Sequence, residues 1–129
     1  MRPWGIFLVM WGALGLLPAE ALAQTAFLEG HVFDKRTGVP IAGAVVRVYE
    51  NVTVGPIPIE LGVSDTDSNG FYEIQIGQFL GFPAIIEVAC KTPRGEVRGE
   101  GSALLREGTI RRDIYLAARP RLIRCQGFQ

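Results

Sequence analysis

Phe27-Leu28-Glu29-Gly30-His31-Val32-Phe33-Asp34, then Lys35-Arg36-Thr37-Gly38-Val39-Pro40, then Ala44-Val45-Val46-Arg47-Val48-Tyr49-Glu50, is the stretch that decides the fold. Its side chains alternate with a period of two, as in a half-buried strand. Leu28, Gly30 and Val32 share one face, and Glu29, His31 and Phe33 share the other. Ala44, Val46 and Val48 oppose Val45, Arg47 and Tyr49 in the same way. Between the runs lies turn chemistry: Gly38 admits positive φ, and Pro40 fixes φ where the chain re-enters a strand.

The pattern continues outward. Further strands are expected at Ile59–Ser64, Phe71–Ile76, Ala84–Lys91, Glu96–Leu105 and Thr109–Ala117, with a short last one at Leu122–Cys125. Tyr72, Ile74 and Ile76 share a face, as do Ile86, Val88 and Cys90, and Ile114 and Leu116. Asp65-Thr66-Asp67-Ser68-Asn69-Gly70 predicts a tight reversal, read as a hairpin because Asn-Gly favours one. Nothing sustains a helical period. The fold class expected is all-β, a seven-stranded antiparallel β-sandwich.

The chain's first residues read differently. Arg2 precedes an apolar run from Gly5 to Leu17, and Ala21-Leu22-Ala23 supplies an A-x-A exit. That is the layout of a secretory signal, and the run is shorter than the ~20 residues a membrane-spanning helix needs. Residues 1–23 are therefore expected to be removed, leaving one domain over 24–129, periplasmic or extracellular, with no stable membrane insertion. The remainder carries 12 basic and 12 acidic residues, which argues against nucleic acid as a partner. Residues 24–90 hold 3 basic and 8 acidic groups, and residues 91–129 hold 9 and 4. Interleaved strands carrying complementary charge account for this, and a basic surface for an acidic partner is the alternative. Cys90 and Cys125 form an even pair in an exported chain, which predicts one disulfide rather than two buried thiols.

Gly30-His31-Val32-Phe33-Asp34-Lys35-Arg36-Thr37-Gly38-Val39-Pro40-Ile41-Ala42-Gly43-Ala44-Val45-Val46 resembles the opening of carboxypeptidase regulatory-like domains, which are transthyretin-like β-sandwich modules. Ser64-Asp65-Thr66-Asp67-Ser68-Asn69-Gly70-Phe71-Tyr72-Glu73-Ile74 is similar to a second block of that family, and Asp113-Ile114-Tyr115-Leu116 to a third. The resemblance implies a scaffold without chemistry of its own, needing no cofactor.

Three constellations remain. Asp65-x-Asp67-x-Asn69-Gly70 matches the first half of a calcium loop, yet its twelfth position is Ile76 where a bidentate Glu belongs. Asp65, Asp67 and Asn69 are thus a calcium candidate set against a turn, and no metal is assigned. His31 lies in a segment similar to the histidine strand of hydroxyisourate hydrolases, but the second histidine and the Y-R-G-S tail of those enzymes are missing. With no partner to position and tune it, His31 is read as a strand residue and no catalytic residue is assigned. Phe79 and Phe82 are expected to cap one end of the sandwich, with an aromatic ligand-binding platform as the alternative. The expected function is an exported non-enzymatic module that is structural or binds protein or carbohydrate of the cell envelope. A hydroxyisourate hydrolase-like enzyme and a calcium-stabilised adhesion module are the alternatives.

Overall fold

A computed structural model describes residues 24–51, 58–117 and 124–126. The expected signal, residues 1–23, lies outside the described residues. Among the described residues eight strands follow one another: β1 (Ala26–Asp34), β2 (Val45–Glu50), β3 (Glu60–Asp65), β4 (Phe71–Ile76), β5 (Pro83–Thr92), β6 (Gly95–Leu104), β7 (Gly108–Arg111) and β8 (Ile114–Leu116). One sheet has the order β4-β1-β7, with β8 also paired to β1, and the other β3-β2-β5-β6. No described residue is helical. The architecture is the all-β sandwich that the alternation predicts.

The alternating residues meet between the layers. Leu28, Val32, Ile74 and Leu116 from the first sheet are buried against Val46, Val48, Ile86 and Val88 from the second. The turn after β1 is organised by Asp34, which is fully buried. Its carboxylate accepts from the Arg36 N–H at 3.1 Å and from the Thr37 hydroxyl at 3.2 Å. Gly38 closes the turn at φ 75°, donating to the Asp34 carbonyl at 2.8 Å.

Two expectations need correction. Thr109–Ala117 is not one strand but two, β7 and β8, and both pair with β1 in parallel rather than antiparallel. The break falls at Arg112 and Asp113. The Arg112 N–H still reaches the Glu29 carbonyl at 2.9 Å, but its own carbonyl turns inward and accepts from the Tyr72 hydroxyl at 2.7 Å. Asp113 Oδ1 then replaces a backbone carbonyl as acceptor for the His31 N–H, at 2.8 Å. Gly30 makes this possible, because any Cβ there would land on the Arg112 carbonyl. Burial pushes the Tyr72 phenol well above its ordinary range, so it stays protonated and donating at neutral pH.

The second correction concerns Asn69-Gly70. β3 and β4 belong to different sheets, so the turn between them is a corner and not a hairpin. Thr66 decides this. Its buried hydroxyl donates to the Ile41 carbonyl and accepts from the Ala44 N–H, both at 2.8 Å, which holds the chain on the second sheet. The corner then delivers Gly70 to β1, where its carbonyl accepts from the Val32 N–H at 2.9 Å.

The disulfide is formed. Cys90 on β5 is bonded to Cys125 across a Cα–Cα distance of 5.2 Å, and both residues are buried. It seats the chain's last described segment. The Cys125 N–H donates to the Ala42 carbonyl, the Gln126 N–H donates to the Lys91 carbonyl, and Arg124 bridges Ala42 in parallel. Of the short last strand expected at Leu122–Cys125, residues 122 and 123 lie outside the described residues.

Candidate functional site: the outer face of the first sheet

Alternation sends Glu29, His31 and Phe33 to the outer side of β1, and pairing decides what stands beside them. His31 is opposite Phe71 on β4, and Phe33 is opposite Tyr115 on β8. The result is a continuous row of rings. Phe71 meets His31 edge-on at 5.3 Å, His31 stacks on Phe33 at 5.6 Å, and Phe33 stacks on Tyr115 at 5.5 Å. The outermost ring, Tyr115, is 55% exposed.

Charged groups flank the row at the β7–β8 break. The Arg111 guanidinium donates to His31 Nδ1 at 2.9 Å and lies 3.3 Å from Asp113 Oδ1. A guanidinium has no acceptor, so His31 Nδ1 must accept and the ring carries its proton on Nε2. Further along the same face Glu29 stands directly opposite Glu73.

The other candidate residues are placed apart from this row. Asp67 Oδ1 accepts from the Asn69 and Phe71 N–H groups, both at 2.9 Å, so that oxygen is engaged by its own turn. Asp65 instead lines a cavity of about 580 Å³ on the outer face of the second sheet, with Arg47, Glu87, Lys91 and Arg98. Among the described residues no three His, Cys, Asp or Glu side chains gather where they could hold a metal ion. We expect Asp67→Ala to cost about 1–3 kcal/mol in chemical denaturation, because two N–H groups lose their acceptor. Millimolar calcium should leave the wild-type melting temperature unchanged, and a rise on adding calcium would restore the adhesion-module reading.

Phe79 packs against the core at φ 60°, while Phe82 stays 46% exposed with its ring 6.3 Å from that of Phe79. Capping is thus provided by Phe79, and Phe82 faces solvent. The row Phe71–His31–Phe33–Tyr115 escapes sequence reading, because only His31 and Phe33 are neighbours within one strand. Among the described residues no helix is long and apolar enough to cross a membrane.

No protein-family model matches the chain, and no curated protein matches it. Solved structures with a similar fold include chlorocatechol 1,2-dioxygenase from Pseudomonas putida, at 15% identity and a TM-score of 0.48, covering 75% of this chain and 61% of that one. (S)-allantoin synthase is similar over 76% of this chain and 45% of its own, at 11% identity and a TM-score of 0.47. The 5-hydroxyisourate hydrolase of Klebsiella pneumoniae is similar over 71% of this chain and 99% of its own, at 11% identity and a TM-score of 0.43. The chain thus spans less than two thirds of the length of the first two. Likenesses at this level carry no argument about activity.

Proposed function

We propose that this chain is an exported, non-enzymatic module of the carboxypeptidase regulatory-like type. It serves the cell envelope as an accessory protein and engages a protein or carbohydrate through the outer face of its first sheet. The observation that carries this reading is the row Phe71–His31–Phe33–Tyr115, with His31 stacked inside it and its Nδ1 taken by Arg111. A histidine so engaged supports a surface role over proton transfer. An exposed tyrosine beside half-buried rings and an arginine presents the residue types that dominate recognition surfaces. The disulfide supports export, since such bonds persist in oxidising compartments.

Two measurements test the reading. The purified protein should not turn over hydroxyisourate above the buffer rate, and turnover that disappears in His31→Ala would establish the hydrolase instead. Cross-linking in the envelope fraction should yield a defined adduct that is lost in the Phe33→Ala, Tyr115→Ala double variant while its melting curve is kept. An adduct indifferent to that double variant overturns the assignment of this face.

A further inference from the structure

β6 is the free edge of the second sheet: among the described residues it pairs with β5 alone. An open edge ten residues long is a template for another strand, and proteins ordinarily guard such edges with charged side chains, prolines or bulges. This edge carries charges of both signs. Its first half, with the last turn residue, reads Arg94-Gly95-Glu96-Val97-Arg98-Gly99-Glu100. Inverted about Val97, the segment places every arginine opposite a glutamate and each glycine opposite a glycine.

The backbone is oriented to use that symmetry. Arg112 Nε donates to the Ser102 carbonyl at 3.1 Å from outside the sheet, so Ser102 points its backbone groups outward. Backbone direction alternates along a strand, so Glu96, Arg98 and Glu100 point theirs outward too. The Arg112 side chain also closes the edge at Ser102, which leaves open the stretch before it.

Two side chains at the ends of the segment point the same way. Glu100 is directly opposite Glu87 on β5, a like-charge pair. Arg98 reaches Glu87 at 3.4 Å and Glu96 at 2.7 Å, but no salt bridge among the described residues involves Glu100 or Arg94. In the inverted register, Arg94 of one copy faces Glu100 of the other. Val97, half-buried against the core, meets its own counterpart on the axis.

We infer that β6 pairs antiparallel with β6 of a second copy of this chain, centred on Val97, joining two four-stranded sheets into one of eight strands. Glu96 and Arg98 exchange backbone hydrogen bonds with Arg98 and Glu96 of the other copy. Sliding the register by two residues in one direction sets Arg98 against Arg98 and Glu96 against Glu100. Sliding it by two in the other sets Glu96 against Glu96 and Arg94 against Arg98. The charge pattern thus disfavours both nearest slips.

Sedimentation equilibrium on the purified protein tests this. The wild type should dimerise reversibly below roughly 1 mM, and more weakly as salt is raised. Arg98→Glu makes the segment self-repelling through Glu96, and Glu96→Arg does so through Arg98. Each variant alone should weaken the dimer by at least about tenfold while its melting curve stays that of a folded sandwich. Mixed one to one, the two variants are fully complementary and should form a heterodimer. A wild type that stays monomeric throughout overturns the inference. So do single variants that dimerise as well as the wild type, and a mixture that fails to associate.

Discussion

Gly30→Ala should cost the fold about 3 kcal/mol or more, read as a lowered urea midpoint followed by far-ultraviolet circular dichroism. A methyl group at this position would lie 2.6 Å from the Arg112 carbonyl carbon and closer still to its oxygen, both backbone atoms that no rotamer change can move aside. Relief requires Arg112 to withdraw. That strips the Tyr72 hydroxyl of its acceptor, 2.7 Å away, and loosens the contact of Asp113 with the His31 N–H. One methyl group therefore removes a half-buried hydrogen bond, weakens an exposed one, and strains the join of β7 and β8 to β1. Gly101→Ala is the control. Its added carbon would meet Ile114 side-chain atoms at 3.6 Å, an ordinary contact. Its effect should stay within about 1 kcal/mol, with the loss of glycine's chain entropy partly offsetting any strain. Equal midpoints for Gly30→Ala and wild type would mean that the Arg112 carbonyl does not sit over Gly30.

Breaking the disulfide is the second large effect. Cys90 and Cys125 are 35 residues apart, and closing a loop of that length restricts the unfolded chain by about 4 kcal/mol in the entropy model. The folded state suffers as well, because the bond anchors Ala42–Arg124 and the Gln126-to-Lys91 hydrogen bond. Reduction, or a Cys90→Ser, Cys125→Ser double variant, should lower stability by about 2–5 kcal/mol. Amide exchange should accelerate first at Cys125 and Gln126, ahead of the β2–β5 ladder. Identical melting curves for oxidised and reduced protein would show that the bond holds only the chain's end in place.

Much of the sandwich could be read from residues alone, because burial follows alternation. Phe27–Asp34 and Phe71–Ile76 bury the faces that their apolar residues mark. Two features could not be read so simply, for physical reasons. Asn-Gly chemistry specifies a reversal but not which sheet receives the chain afterwards, and that was settled by Thr66 bonding to Ile41 and Ala44. The split of the final strand left one trace: Arg112 occupies the inward position between Ile110 and Ile114, where an apolar residue belongs. At the candidate site, His31 and Phe33 were visible as neighbours on one face. Phe71, Arg111, Asp113 and Tyr115 joined them only through strand register, which a single strand's pattern does not encode.

β1 is made first and finished last. Its N–H at His31 finds its acceptor 82 residues later, at Asp113. At a synthesis rate of about 5–20 residues per second, the nascent strand waits roughly 4–16 s for that neighbour to leave the ribosome. Throughout that interval one side of β1 lies open to whatever extended chain passes by. The chain is therefore exposed to mispairing along this side of β1 before β7 and β8 have joined it, and that is the interval in which a factor holding the chain extended would act.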